Sequence, residues 1–301
     1  MTRIATVFGA TGLQGSSVVR ALLEDGTFKP RAVTRDVNSA TARKFAEQGC
    51  EVVQADMGNK DSVKDAVAGA ETVFVVTVPF GSVTEVVQGT NVIDASKEAG
   101  VRFLVFSTVP SISERSNGKY THVALAEEKE QVRKYLGSSG LAGASVGTGS
   151  FLENLLGSHL GLPPFGETDG RYVWHSYGEP QMVMAFSWID HDMGQAVVAL
   201  MKQYGTHASE INGQTFVVAS GRYTAQELAA ELEQGLSKPV DVKFAGTNSG
   251  MQVVDEMYAF TVEYDWYPGV AIPDTRLEKL GVKFGAPADF ARTVLKPHVG
   301  K

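Results

Sequence analysis

Seven residues near the amino terminus, Gly9-Ala10-Thr11-Gly12-Leu13-Gln14-Gly15, place three glycines at a Gly-x-x-Gly-x-x-Gly spacing. That spacing suits the diphosphate of a dinucleotide. The first glycine permits a tight exit from a strand, the second lets backbone approach a pyrophosphate, and the third lets the next helix pack close to the sheet. The helix opening there would offer free N–H groups and the positive end of its dipole to phosphate. Many ordinary turns are glycine-rich, so the triplet alone decides little. Its position decides more: it separates the strand-like run Arg3–Phe8 from a helical pattern beginning at Leu13, the context dinucleotide binding needs.

The choice between NAD(H) and NADP(H) falls at the end of the second strand, Val33-Thr34-Arg35-Asp36. An acid there accepts hydrogen bonds from the ribose 2′-hydroxyl, whereas an arginine pairs with a 2′-phosphate. Arg35 comes first after the strand and Thr34 adds a hydroxyl donor, so the expected cofactor is NADP(H), with NAD(H) weaker. The alternative is that Arg35 is a solvated loop charge, and Asp36 argues the other way.

Other chemistry-bearing groups are less organised. The six histidines lack metal-ligand spacing, so no metal site is expected. Asp190-His191-Asp192 has the composition of acid–base hardware, but Asp192 as the N-cap of a helix explains it more simply. Gly147-Thr148-Gly149-Ser150 is not a nucleophile elbow. Cys50 reads as a small packed residue. Tyr258, Phe260, Tyr264, Trp266 and Tyr267 read first as core, then as a pocket wall or partner surface. Ser107 and Thr108 close a strand at the end where ligands bind in open α/β sheets.

The elements that must position these residues alternate regularly. Strands are expected at 3–8, 30–34, 51–54, 72–76, 102–107 and 142–146. Helices are expected at 13–24, 40–48, 61–68, 83–99 and 120–136. Runs such as TVFVV and RFLVFS are apolar on both faces, as in a parallel sheet covered on both sides. The pattern predicts an α/β fold: a Rossmann, doubly wound parallel sheet over residues 1–150, with a smaller C-terminal α/β lobe over 151–301 that partly returns to the sheet. Residues 157–178 read as loop and short strands, 192–201 as a helix, and 215–219 as a late strand. Thr224 with Glu227 reads as a capping box opening a helix through Leu236.

Composition narrows the function classes. The chain has 301 residues, 43% of them hydrophobic, and a net charge of −7 with dispersed cations, which argues against disorder and against direct nucleic-acid contact. One cysteine excludes an internal disulfide. The opening MTRIATVFGATG lacks a signal-peptide pattern and no apolar run is long enough for a bilayer, so the expected location is the cytoplasm, with a nuclear pool also compatible.

The stretches VFGATGLQGSSVVRALL, RAVTRD, GCEVVQADMGNKDSVKDAVAGAETVFVVT, VRFLVFS, EEKEQVRKYL, SFLENLL and, more loosely, IDHDMGQAVVALM resemble the NmrA-like branch of the atypical short-chain dehydrogenase/reductases. The resemblance covers essentially the whole chain and is most specific in the first half. It implies that Gly9, Thr11, Gly12, Leu13, Gln14 and Gly15 hold the pyrophosphate, that Arg35 meets the adenosine phosphate, and that Asp56 and Met57 lie beside adenine. It further places Thr77, Val78 and Pro79 near the nicotinamide ribose, Lys129 on that ribose, and Phe151 through Asn154, including Glu153, along the nicotinamide.

Many members of that superfamily use a Tyr-x-x-x-Lys pair, in which the lysine lowers the tyrosine pKa for proton transfer. Here Leu125 stands four residues before Lys129, and Tyr120 stands nine before it. Nine helical residues span about 13 Å, too far for that pair. The absence of the pair, with the resemblance, points to a redox-sensing regulator that binds NADP(H) and acts through a protein partner. The alternative is an NADPH-dependent reductase of a small carbonyl or aromatic compound, with Lys129 as proton donor and Ser107, Thr108 or Tyr120 as helpers. Lys129 as a ribose ligand without chemistry stands beside both.

Overall fold

A computed structural model describes residues 2–299. The first half alternates β1 (Ile4–Phe8), α1 (Leu13–Asp25), β2 (Lys29–Thr34), α2 (Ala40–Glu47), β3 (Glu51–Gln54), α3 (Lys60–Val67), β4 (Thr72–Val75), α4 (Glu85–Glu98), β5 (Phe103–Thr108), a one-turn α5 (Ile112–Arg115), α6 (Ala124–Ser138) and β6 (Gly143–Thr148). The second half contributes β7 (Ser150–Phe151), β8 (Gly166–Thr168), β9 (Arg171–Ser176), β10 (Met184–Ser187), α7 (Ile189–Gln203), α8 (Ala208–Ile211), β11 (Thr215–Val218), β12 (Gly221–Tyr223), α9 (Ala225–Leu236), β13 (Val240–Phe244) and α10 (Gln252–Glu263).

Seven of these strands form one sheet in the order β11-β6-β5-β4-β1-β2-β3, with every neighbouring pair parallel. The chain therefore starts in the middle, winds outward to β3, then returns and winds the other way: a Rossmann sheet. β4 shows why its sequence is apolar after Thr72. Val73 and Val75 join the layer of α3, α4 and α6, with Val63, Ile93 and Val132, while Phe74 joins the opposite layer of α1 and α7, with Val18, Leu22 and Met193. Successive strand residues point to opposite faces, and helices cover both. Each fully buried side chain of this size stabilises by about 1.5–3 kcal/mol.

Past β6 the chain leaves the sheet, builds two three-stranded sheets, β12-β10-β7 and β13-β9-β8, and lends α7 and β11 back to the large sheet. Trp174, Phe186, Trp188, Leu228, Leu232 and Phe290 make a separate core under α9. The Thr224 capping box forms as expected, with the Glu227 side chain accepting from the Thr224 amide at 2.8 Å.

Three local expectations need correcting. Residues 120–123 are not helical: the Ser116 hydroxyl accepts the Tyr120 amide at 3.1 Å, and Glu256 of α10 accepts the amides of Thr121 and His122, so α6 starts at Ala124. Asp192 is not an N-cap. It lies inside α7, fully buried, where its carboxylate accepts from the Gly285 amide at 2.9 Å and the Ser220 hydroxyl at 3.1 Å and meets His191 Nδ1 at 2.7 Å. The late aromatics do not form one cluster. Phe260, Tyr264 and Trp266 pack with Ile112 and Val123, Tyr258 pairs with Tyr177, and Tyr267 closes over Val217 and Ala219.

Candidate functional site

The carboxyl ends of β1, β2, β4, β5 and β6 open along one edge, and most of the sequence-derived candidates collect there. Gly9 leaves β1 at φ +68°, and a Cβ on it would lie 2.7 Å from Val76, just past β4. Only glycine fits that conformation without strain. Gly15, one turn into α1, packs against the backbone of Gly9 and Ala10, so a Cβ there would lie 2.6 Å from the Gly9 carbonyl carbon. Gly12 is the N-cap of α1 and, having no side chain, leaves the first amides of the helix without a side-chain cap. Gly12 and Leu13 are exposed, Thr11 and Gln14 half-buried. The result is a cradle of bare backbone at a helix N-terminus, which suits an anionic diphosphate.

Around this cradle the other candidates divide. Gln14 reaches across the edge, its Oε1 accepting from Ser107 Oγ at 2.6 Å, which ties α1 to the end of β5. Thr34 is buried and its hydroxyl meets the Asp36 backbone, with the Asp36 amide donating to it at 3.2 Å. Arg35 is exposed and forms no ion pair among the described residues, while the Asp36 carboxylate accepts the Asn38 amide at 2.9 Å. The turn thus holds one oxygen of the acid and leaves both the guanidinium and the carboxylate exposed. Asp56 is likewise engaged, accepting the Gly58 amide at 2.8 Å, and the Met57 carbonyl accepts from Asn91 at 2.9 Å.

After β4 the chain bends through Thr77, Val78 and Pro79. The buried Gln88 amide holds both ends of this bend, accepting from the Val78 amide at 2.9 Å and donating to the carbonyls of Val78 and Val83 at 2.9 and 3.1 Å. Phe80 stands at the tip with φ +58° and 81% exposure.

Lys129, from the second turn of α6, turns inward toward Thr77. Its ammonium donates to Thr77 Oγ1 at 3.0 Å and forms an ion pair with Glu85, the first residue of α4. The Glu85 side chain is 1% exposed and that of Lys129 12%, so the carboxylate is withdrawn from water while the lysine keeps a small exposed fraction. Burial holds the Lys129 amine below the usual lysine range, and the charge and hydrogen bond of Glu85 offset only part of that fall. Sequence reading missed Glu85. As an acid just after the Thr84 N-cap it reads as an ordinary first-turn residue complementing the helix dipole, and nothing local indicates that it faces α6.

Phe151 and Asn154 are half-buried beside Leu152, at the junction of β7 and a short helical turn. Glu153 departs from the role the resemblance implies. Its carboxylate accepts the first amides of α7, Asp190 at 2.8 Å and Ile189 at 3.3 Å, which makes it the cap that Asp192 is not. Burial raises its pKa. Tyr120 also turns away from the edge, its hydroxyl donating to Glu263 at 2.8 Å. Among the described residues no cluster of His, Cys, Asp and Glu has the arrangement of a metal site, and no helix is long and apolar enough to cross a membrane.

A family profile, that of the NmrA-like family, matches residues 1–265, which include the seven-stranded sheet, the glycine cradle and Lys129. The chain belongs to the NmrA-like family. Relatives include the NmrA-like family domain-containing oxidoreductases ptmS of Penicillium ochrochloron, 30% identical over 98% of this chain and 94% of that protein, and malD of Malbranchea aurantiaca, 30% identical over 82% and 79%. The match to lnaB of Aspergillus flavus is 34% identical but spans 54% of this chain and 51% of that protein. Among solved structures, NmrA, a negative transcriptional regulator, in complex with NAD superposes with a TM-score of 0.85 at 19% identity, covering 99% of this chain and 97% of that one. Its complex with NADP gives 0.82 at 19% identity, covering 99% and 97%. The Citrobacter triphenylmethane reductase complexed with NADP(H) gives 0.72 at 18% identity, covering 96% and 99%. At these identities the structural likeness establishes a shared fold for this NmrA-like protein.

Proposed function

We propose that this NmrA-like protein is an NADP(H)-dependent reductase of a small carbonyl or aromatic compound, with Lys129 as the proton donor. The observation that carries the reading is the Lys129 ammonium, desolvated and held at the carboxyl edge of the sheet beside Thr77. The Gly9–Gly15 cradle fits a diphosphate because a side chain at either end would fill it. Arg35, the unengaged cation at the end of β2, is suited to a 2′-phosphate. When bound, NADPH supplies a hydride. The acceptor then needs one proton, which the Lys129 ammonium can give, leaving a neutral amine, so the missing tyrosine is not essential to the balance. The oxidoreductase names of relatives aligned over most of their length support the same reading.

The test is loss of NADPH absorbance across a panel of carbonyls, quinones and enol ethers, with Lys129→Ala as control. Turnover by the wild type that falls at least a hundredfold in the variant is expected, since a positioned proton donor contributes about 10²–10⁴. Silence across the panel while NADPH binds would retire the reading.

A second reading is favoured by Leu125 standing where the Tyr-x-x-x-Lys pattern has its tyrosine, and by the likeness to a transcriptional regulator. In it the protein senses the dinucleotide and acts through a protein partner. Partner capture that depends on whether NADP+, NADPH or neither is present would support it, because switching requires differential affinity.

A further inference from the structure

The buried group that the reductase reading leaves unused is Glu85. Its carboxylate has two unequal oxygens. Oε2 takes the Lys129 ammonium and also accepts from Thr77 Oγ1 at 2.5 Å, whereas Oε1 is buried with no hydrogen-bond partner. A buried carboxylate oxygen without a donor is costly, and a buried ion pair is weak evidence of a purely stabilising role. The backbone around it is nevertheless built to keep it in place. The Glu85 amide donates to Glu128 Oε2 at 2.6 Å, and Glu128 precedes Lys129 on α6. Two consecutive residues of α6 thus grip the first residue of α4, one by its backbone and one by its side chain.

The donors at Lys129 are fully assigned. A lysine ammonium has three. One goes to Glu85, one to Thr77 Oγ1 at 3.0 Å and one to the Thr77 carbonyl at 3.4 Å. Because Thr77 Oγ1 gives its own hydrogen to Glu85, its lone pairs are left for the ammonium, and that direction is fixed only while Glu85 is an acceptor. The longest of the three contacts is the one an incoming acceptor can replace at least cost. The charged groups facing the ammonium are Glu85 from α4 and Glu128 from α6.

We infer that Glu85 is the positioning residue for Lys129: it keeps the desolvated amine protonated and orders Thr77 so that one N–H, held only by the long contact to the Thr77 carbonyl, can turn to an acceptor. This rests on the reading of Lys129 as proton donor, but it makes a claim about the lysine that holds without turnover. Removing the counter-charge while leaving the shape, as in Glu85→Gln, leaves the amine desolvated and uncompensated, so its pKa must fall. Glu85→Asp keeps the charge on a shorter stem and restores part of the effect.

The experiment is an NMR titration of the full chain labelled at lysine Cε, with the Lys129 signal assigned by its loss in Lys129→Arg. Glu85→Gln is expected to lower the Lys129 titration midpoint by at least about one pH unit, the scale of one opposite charge within about 4–6 Å. Glu85→Asp is expected to fall between Glu85→Gln and the wild type. Where a substrate is turned over, the alkaline limb of kcat/KM should move toward acid by the same amount. An unmoved midpoint in Glu85→Gln, or in Glu85→Ala if Glu85→Gln does not fold, overturns the inference, as does a uniform fall in rate with no shift of the limb. A wild type that turns over nothing retires the reductase reading and leaves the titration to decide the role of Glu85.

Discussion

The Cα of Gly15 lies against the carbonyl of Gly9, so close that a methyl group added there would sit 2.6 Å from the carbonyl carbon and 2.9 Å from the Cα of Ala10. Both neighbours are backbone, so neither can rotate aside. Gly15→Ala must therefore open the turn, and overpacking of this kind costs about 1–3 kcal/mol. The expected result is a folded protein with a lowered Tm and at least tenfold weaker dinucleotide binding by calorimetry, where tenfold corresponds to about 1.4 kcal/mol. Unchanged affinity would show that the cradle is not where the diphosphate sits.

The proposed preference for NADP(H) over NAD(H) rests on Arg35. One oxygen of the Asp36 carboxylate is held by the Asn38 amide, and the exposed Arg35 guanidinium is the cation at the end of β2 able to meet a phosphate. Arg35→Ala should weaken NADP(H) by about tenfold or more, the worth of a charge-assisted pair, and leave NAD(H) nearly unchanged. Equal losses for both in calorimetry would place the 2′-phosphate elsewhere.

Glu153 offers the converse test. Because its carboxylate caps α7 through the amides of Ile189 and Asp190, Glu153→Ala should cost about 1 kcal/mol in a urea melt, the usual worth of an N-cap. Dinucleotide affinity should not move. A large loss of affinity at constant stability would assign the residue to the cofactor instead.

His191 gives a pH signature of stability. The hydrogen bond it donates to the Asp192 carboxylate raises its pKa above the ordinary value of 6.5 against the opposing effect of burial, with the charges of Asp192, Asp289 and Asp190 adding to the rise. A raised folded-state pKa favours the charged form in the folded protein. Its stabilisation is therefore complete below pH 6.5 and fades as pH climbs through the raised value. The ring is 38% exposed, so solvent screening keeps the effect modest. His159, whose pKa burial lowers, is common to wild type and variant and cancels in a difference. Between about pH 6 and about pH 8.5, the Tm advantage of the wild type over His191→Gln should shrink. A difference constant with pH would mean the pair carries no linked proton.

The half of the molecule with one simple rule is the half the sequence describes well. After Thr72, β4 is apolar, as are the first four residues of β5, because both sheet faces are covered, and the glycine triplet has a single steric purpose, so the strands and the cradle follow from local pattern. The buried polar pairings follow no such rule. Glu85 meets Lys129 from 44 residues away, and Glu153 caps a helix 36 and 37 residues downstream. Each is an unremarkable acid in its own segment. Asp192 illustrates the opposite error: it has the residue type and approximate place of a cap, yet the helix begins one turn earlier and the carboxylate is spent on Gly285 and Ser220. Tertiary partners chose these roles, and periodicity carries no information about them.

The position of β11 bears on how the chain is made. β6 hydrogen-bonds β5 on one side and β11 on the other, and β11 is encoded after both small sheets' first strands and α7. A ribosome releasing this chain therefore exposes the outer rim of β6 long before its mate arrives, a row of unsatisfied amides and carbonyls open to any stray strand. Fragments cut after β6 inherit that raw rim permanently. Attempts to produce the amino-terminal portion by itself should yield inclusion bodies unless the terminal strand is grafted back on.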